Sequence, residues 1–195
     1  GQRLYFLSLR PLEPGGHAGK ENIWFVERAP GGWSDPRPVS PLVNDYDHHW
    51  LVSVSTDETL YFSSIRDGGV GERDIYRSRF VFGSHQVRVN LGYVINSFWV
   101  EHTPFIAPHE SYLIFTSRGR PEGVGGFRFF ISYRNPDGSW STPAMLGGEM
   151  AEMGASLCPA VTPDGRFMFF IAEGDIWWVS AEFVEAMRPA TTSAT

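Results

Sequence analysis

The sequence is poor in cysteine and has no long apolar run. Its single cysteine, Cys158, excludes an intrachain disulfide and leaves the redox compartment undecided. The flanking residues SLCPAV are mostly apolar and favour a buried, inert thiol over a nucleophile. No stretch approaches about 18 consecutive apolar residues, so no membrane span is predicted. The first residues, GQRLYFLS, have the pattern of a strand and not of a signal peptide.

Positive charge is also scarce. The formal net charge is -6 at pH 7, and the 16 basic residues are one lysine, Lys20, and arginines scattered along the chain. Binding to a nucleic-acid backbone needs clustered lysine and arginine, because the contacts neutralise phosphate charges. The sequence therefore predicts no nucleic-acid partner.

Aromatic residues, glycine and proline are abundant by contrast. Aromatic residues make up 15% of the chain, which also holds 21 glycines and 14 prolines. Aromatic side chains fill pleated sheet surfaces, while glycine and proline mark many short connections. This composition favours an all-β fold.

A short apolar strand recurs four times along the chain. The copies begin at Tyr5, Tyr61, Ile114 and Phe169, and successive starts are 53 to 56 residues apart. Each copy is followed by a second apolar strand, with turn signals and further extended segments around the pair. Four short antiparallel strands at such a period are typical of β-propeller blades. The predicted blades are residues 1–44, 45–97, 98–152 and 153–180, followed at 181–195 by a helical turn, with Ser180 as its N-cap, and a tail.

Two stretches carry a family resemblance. NSFWVEHTPFIAPHESYLIFTSRGRPEG and TPDGRFMFFIAEGDIWWVS resemble the bacterial TolB-type propeller repeat, with its Asn-Ser, Glu and Pro, its Ser-Pro-Asp-Gly turn and its Asp-Ile-Tyr strand. The resemblance covers nearly the whole chain. It implies a β-propeller and a periplasmic or extracellular location, but it does not imply one activity, because this repeat serves several functions.

The first and last repeats are incomplete. The first begins at its second strand, and the last passes from its third strand into the tail, which leaves about three and a half to four blades. Unpaired sheet edges are normally covered. We therefore expect a larger ring, a second chain or a second copy to complete the propeller.

The geometry of a blade indicates where a functional site would lie. With strands named a to d in order, the b–c loops and the d–a links share one face, around the mouth of the central channel. Aligning the units equates His49 with Glu101 and Ser156, and equates Trp50 with His102. Adjacent residues on a strand point to opposite sides. The prediction places His49 and Glu101 on the channel axis.

The histidines and acids of this face suggest a metal site. The candidate ligands are His48, His49, Glu101, His102 and Asp47, which could hold Zn²⁺, Mn²⁺ or Ca²⁺. Glu101 and His49 are then the catalytic candidates, acting with activated water in hydrolysis. The alternative is structural: Glu101 caps a turn and holds neighbouring blades together, and the histidines are surface polar groups. No H-E-x-x-H motif is present to decide between them.

Other residues of this face are candidates for ligand binding. Arg66 and Arg118 are predicted to occupy one repeat position, where they would orient an anionic group. Trp50 and Trp99 would stack on a sugar ring or another flat group, and His17 is predicted on a loop of the same face as a further ligand-binding candidate. The leading interpretation is a recognition module for a protein, peptide or carbohydrate at the loop face. The alternative is a hydrolase of esters, phosphoesters or glycosides.

Overall fold

The computed structural model describes residues 1–13, 15–16, 21–45, 49–123, 126–153 and 156–190. Its strands form four small antiparallel sheets, arranged as the four blades of a propeller. The predicted all-β fold is confirmed. Both helices that the described residues contain have four residues, which is too short to cross a bilayer.

The blades follow one another along the chain. The first sheet holds β1 (Arg3–Ser8), β2 (Asn22–Ala29), β3 (Gly32–Trp33) and β4 (Arg37–Pro38). The second holds β5 (His49–Val54), β6 (Leu60–Ser64), β7 (Asp74–Ser78) and β10 (Val89–Asn90), and β8 (Phe80–Val81) and β9 (Ser84–His85) form a separate ribbon.

The third and fourth blades complete the described chain. The third sheet holds β11 (Val100–Ile106), β12 (Tyr112–Arg118), β13 (Arg128–Tyr133) and β14 (Ala144–Met145), and the helix α1 (Glu149–Glu152) follows it. The fourth sheet holds β15 (Ser156–Val161), β16 (Phe167–Ala172) and β17 (Asp175–Ser180), and the helix α2 (Phe183–Ala186) comes last. The predicted N-cap, Ser180, is not the N-cap of α2, which is Glu182. The Ser180 hydroxyl accepts a hydrogen bond from the backbone N–H of Glu182 at 3.3 Å.

The middle strands of the second and third blades, β6 and β12, are buried on both faces, because each of these blades packs between two others. All five residues of β6 are buried, and β12 is buried from Leu113 to Ser117. Three apolar cores lie between successive blades, and Phe62, Phe115 and Phe170 are among their fully buried side chains. A strand packed in this way needs apolar residues on both faces, which explains why the repeat shows continuous apolar runs instead of alternation.

The fourth blade is packed on one face only. Along β16, Met168, Phe170 and Ala172 are buried, while Phe169 and Ile171 between them are exposed. Three exposed apolar side chains of β17 lie on the neighbouring strand: Ile176, Trp177 and Trp178. A further blade, a second chain or a second copy against this face stays a prediction. A mass measurement in solution tests the second chain or copy, and a stable monomer of 21.9 kDa would contradict it.

The innermost strands of the last three blades share an irregularity. The register of β5, β11 and β15 with the next strand shifts after Trp50, His102 and Leu157, respectively. In each case the residue directly after the shift has a left-handed backbone, with φ of 39° at Leu51, 41° at Thr103 and 56° at Cys158. These shifts are β-bulges, which re-aim side chains and often lie beside functional sites.

Candidate functional site

An open cavity of about 420 Å³ lies between the second, third and fourth blades. We call it the inner cavity. Its lining residues are Trp50, Ile65, Glu72, Arg73, Val100, His102, Arg118, Phe127 and Leu157. It is formed by the innermost strands and by the loops that connect the second and third strands of two blades, which is the face that the repeat analysis selected.

Equivalent positions of the repeat meet in this cavity. Trp50 pairs with Ser63, and His102 pairs with Thr116, at the same register position of their blades. Leu157 holds that position in the fourth blade. Each of the three inner strands thus presents its last residue before the bulge to the same space, and β11 adds Val100, two residues before His102.

The inner cavity has an aromatic wall. The rings of Trp50 and His102 are 4.8 Å apart between centroids, and those of His102 and Phe127 are 5.7 Å apart. Trp50 is 43% exposed, so much of its ring is open to a ligand. Such aromatic surfaces contribute large contact area to binding at little conformational cost.

Two arginines flank the aromatic wall. The guanidinium carbon of Arg73 lies 5.2 Å from the centre of the Trp50 ring, and that of Arg118 lies 5.3 Å from the centre of the Phe127 ring. The Nη1 atom of Arg73 is buried and has no hydrogen-bond partner within the described ranges. Burial lowers the pKa of Arg73, and the nearby charge of Glu21 opposes that change. An arginine remains charged at neutral pH in such surroundings.

His102 is a buried polar group of the cavity wall. The residue is 6% exposed, and its Nδ1 atom has no hydrogen-bond partner among the residues that the structure describes. Burial lowers the pKa of His102 to about 4, and the charge of Arg73 adds to this. The imidazole is therefore neutral at pH 7, and it forms part of the aromatic wall rather than a cationic group.

The predicted catalytic pair does not line the inner cavity. His49 is fully buried, with its ring edge-on to Phe62 at 5.2 Å between centroids. Glu101 is also fully buried, on the opposite side of its strand from His102. The residue that follows each predicted position faces the cavity instead: Trp50 after His49, and His102 after Glu101.

Glu101 has a dense set of hydrogen bonds. Its carboxylate accepts bonds from the backbone N–H of Ser97 at 2.7 Å and from the Ser97 hydroxyl at 2.6 Å. It also accepts bonds from the Ser117 hydroxyl at 2.9 Å and from Nε of Arg120 at 3.3 Å. These contacts tie the link before the third blade to the middle strand of that blade, as the structural alternative expected.

The predicted equivalence of Arg66 and Arg118 is wrong. Arg66 is buried, donates from Nη2 to the Val43 carbonyl at 3.0 Å and pairs with Asp45. In the third blade the same donation, at 2.5 Å to the carbonyl of Ile95, comes from Arg120.

An inserted glycine accounts for this difference. Gly119 has φ of 106°, and it places Arg120 where Arg66 stands in the second blade. Ile65, which precedes Arg66, and Arg118, which precedes the inserted glycine, both line the inner cavity. Arg118 is therefore a cavity residue, and Arg66 is a packing residue.

The remaining predicted residues are placed as follows. Trp99 is half-exposed, packs edge-on against Phe98 and accepts a hydrogen bond at its carbonyl from the Glu72 N–H at 2.9 Å, but it is not a lining residue. Three candidates lie outside the described residues: His17, Asp47 and His48. Among the described residues no group of three or more His, Cys, Asp or Glu is placed to hold a metal ion. The metal site stays a prediction, since two of its candidate ligands are not described.

Sequence reasoning missed Arg73 and Phe127 as site residues. Each stands directly before the third strand of its blade, since Asp74 pairs with Ser64 and Arg128 pairs with Ser117. The repeat alignment contained this signal, because both residues follow a glycine-rich loop of the selected face. Neither residue type at that place matches a catalytic or metal-binding motif, so the sequence pattern alone does not mark either one as a site residue.

A larger cavity of about 550 Å³ lies elsewhere, between Tyr112, Phe167 and the residues around α2. None of its lining residues has a buried side-chain polar atom that lacks a hydrogen bond in the described part of the chain. The inner cavity differs in this respect, since Arg73 and His102 each have such an atom.

Three solved structures are similar to this chain. TolB from Acinetobacter baumannii superposes with a TM-score of 0.59 at 15% identity, over 93% of this chain and 39% of that one. A protein named as TolB from Agrobacterium tumefaciens gives 0.54 at 19% identity, over 84% and 48%. An α-L-arabinofuranosidase from Lactobacillus brevis gives 0.55 at 13% identity, over 89% and 62%.

These likenesses concern the fold. The chain spans 39% to 62% of the length of the three structures, and all three are less than 20% identical to it. No protein-family model and no curated protein matches the sequence. Two of the three structures bear the name TolB, the family whose repeat the sequence resembles. With its four antiparallel blades, the chain has the fold of a TolB-like β-propeller.

Proposed function

We propose that the protein is a recognition module that binds a protein, peptide or carbohydrate ligand at the inner cavity. The observation that carries the proposal is the meeting of three blades at one open space, with an aromatic wall and two arginines. Small-ligand sites are typically apolar clefts of about 300–1,000 Å³ with a few polar groups. The inner cavity has this size and composition.

The chemistry of the lining residues supports binding over hydrolysis. Among the described residues that line the cavity, Glu72 alone carries a carboxylate, whereas glycoside hydrolysis ordinarily uses two. The pKa of His102 is lowered to about 4 by burial, which makes its imidazole a weak base at pH 7. Glu101, the leading acid of the sequence analysis, is engaged by four hydrogen bonds outside the cavity.

A matched pair of tryptophan variants tests the proposal. Peptide and glycan arrays identify ligands of the purified protein, and titration calorimetry then measures their affinity. We expect Trp50→Ala to weaken binding at least about ten-fold, the loss typical of an aromatic anchor. Trp33→Ala is the control, because Trp33 is 45% exposed, close to the 43% of Trp50, and also contacts an arginine, Arg28, but lies in the first blade. Equal affinities of the two variants would refute the cavity as the binding site.

The hydrolase alternative and its metal have a separate test. Purified protein is assayed on ester, phosphoester and glycoside substrates, and its content of zinc, manganese and calcium is measured. A stoichiometric metal that is lost in both His49→Ala and Glu101→Ala, together with turnover that depends on these residues, would support the alternative. Turnover by protein that contains no metal would instead support Glu72 as the acid or base of the reaction.

A periplasmic or extracellular location is part of the proposal. It is supported by the likeness of the fold and of the repeat to TolB. Fractionation of bacteria that express the full gene product tests it, and recovery of the protein with a cytoplasmic marker enzyme would contradict it.

A further inference from the structure

The inner cavity is positively charged inside a negatively charged protein. Among the described residues that line it, two are arginines, Arg73 and Arg118, and one is an acid, Glu72. The whole chain has a formal net charge of -6. Neither cavity arginine has an ion pair among the described residues. Both guanidinium groups instead lie over aromatic rings. An arginine held in this way keeps its donors available for a planar anion.

Two buried polar atoms of the wall also lack partners. Nη1 of Arg73 and Nδ1 of His102 have no hydrogen bond within the described ranges, and His102 is only 6% exposed. Leaving a buried donor or acceptor unsatisfied costs about 1–3 kcal/mol. Both atoms belong to residues that line the same cavity, so within the described part of the chain this cavity combines two arginines without ion pairs with two unsatisfied polar atoms.

The rest of the lining is apolar. Five of its members carry no charged or hydrogen-bonding group except the indole N–H: Trp50, Ile65, Val100, Phe127 and Leu157. A sugar ring needs several directional partners for its hydroxyl groups. An aliphatic or aromatic side chain beside an anionic group fits this lining better.

We propose that the inner cavity binds the C-terminal carboxylate of a peptide that ends in an apolar residue. The guanidinium groups of Arg73 and Arg118 hold the carboxylate, with His102 as a further donor, and the terminal side chain lies on the wall formed by Trp50 and Phe127. Arginine and carboxylate match in planar, charge-assisted hydrogen bonds, which are stronger than neutral ones. This inference rests on the proposed function, since it names the ligand class of the same cavity.

A pair of peptides isolates the carboxylate. N-acetylated tripeptides that end in phenylalanine or leucine are prepared with a free C-terminal carboxylate and, as the matched control, with a C-terminal amide. Titration calorimetry is expected to show the free acid binding at least about ten-fold more tightly than the amide, the ratio that corresponds to one charge-assisted hydrogen bond. Equal affinities, or binding of neither peptide at millimolar concentration, would overturn the inference.

Arginine variants locate the carboxylate. Arg118→Gln is expected to weaken binding of the acid about ten-fold and to leave binding of the amide unchanged. Arg28→Gln is the control, because Arg28 is also exposed and also lies over an aromatic ring, at 5.1 Å from the ring centre of Trp33. Circular dichroism melts verify that both variants fold. A loss of affinity for acid and amide alike in Arg118→Gln would contradict a carboxylate clamp.

His102 provides a readout that a purely structural role would not change. A carboxylate near its Nδ1 favours the charged imidazolium, so binding of the acid is expected to raise the pKa of His102 in a histidine NMR titration. The amide peptide should leave it unchanged, and a pKa that is the same with both peptides would contradict a contact between His102 and the carboxylate.

A further arm separates this inference from the proposed function. Glucuronate, a carboxylate on a sugar ring, is titrated beside the peptides. Binding of glucuronate without binding of the peptide acid would overturn the peptide assignment. Ligands from the arrays that depend on Trp50 but not on a carboxylate would overturn this inference and leave the recognition function intact.

Discussion

Glu101→Ala separates the structural role of this residue from a catalytic one. Glu101 is 0% exposed and accepts four hydrogen bonds from Ser97, Ser117 and Arg120. The alanine variant leaves those donors without their acceptor and leaves the Arg120 guanidinium, whose side chain is 14% exposed, without its carboxylate. Removal of one partner from a buried charged pair costs about 3–5 kcal/mol.

The loss is measurable by urea denaturation and by calorimetry. For a domain of 150–250 residues, about 1 kcal/mol corresponds to roughly 2–4 °C, so the melting temperature should fall by roughly 6–20 °C. Glu101→Gln keeps an acceptor but not the charge, and it should fall between the alanine variant and the native protein. Glu72→Ala is the control: its carboxylate is exposed, and the change should be within about 0.5 kcal/mol. An alanine variant of native stability that had lost hydrolytic turnover would refute the structural role and support the catalytic one.

Two further predictions concern stability. Burial lowers the pKa of both His102 and His85 to about 4, below the value of about 6.5 expected in the unfolded chain, so the unfolded state binds more protons between these values. Stability should therefore fall as pH drops from about 6.5 to about 4, by on the order of 3 kcal/mol for His102, and His102→Gln should flatten that part of a urea-midpoint profile; an unchanged profile would contradict the burial of a neutral imidazole. Gly119→Ala should destabilise by about 1–3 kcal/mol, because φ is 106° and the new Cβ would lie 2.5 Å from Cγ of Trp99. Gly138→Ala, with φ of 82° and open space around the Cβ, is the control for backbone strain alone, and equal losses in the two variants would show that Trp99 does not restrict this site.

The fold was accessible from the sequence because its strongest signal is periodic. The recurrence of strands that begin at Tyr5, Tyr61, Ile114 and Phe169 corresponds to β1, β6, β12 and β16, the same element of each blade. Equivalence along the inner strands was also accessible, since the pairings of Trp50 and His102 agree with the alignment. Period and alternation are local properties that a single chain displays.

The direction of each inner side chain was not accessible. Alternation shows that His49 and Trp50 point to opposite sides, but it does not show which side is the cavity. The equivalence of His49 with Glu101 predicts that both side chains point the same way, and the structure shows that this way is into the blade and not into the cavity. Glu101 has those partners, in Ser97, Ser117 and Arg120, and they come together only through the fold.

The comparison of Arg66 with Arg118 failed for a different reason. The third blade has one extra residue, Gly119, in this loop. Arg66 can therefore be aligned with Arg118, the residue before the insertion, or with Arg120, the residue after it. The choice between Arg118 and Arg120 depends on which guanidinium reaches the carbonyl of Ile95. That hydrogen bond forms only in the folded chain, and the spacing of residues along one blade does not predict it.

The bulges of the inner strands have a consequence for how such a protein can change. Each extra residue, Leu51, Thr103 or Cys158, separates the part of the strand that faces the cavity from the part that is held between blades. The side chains at Trp50, His102 and Leu157 can then differ as widely as an indole, an imidazole and an isobutyl group while the blades keep one architecture. In the proposed recognition function, one cavity-facing residue of each inner strand sets specificity while the other residues of the strand hold the blades together, so we expect that exchanging one residue per blade would select a new ligand.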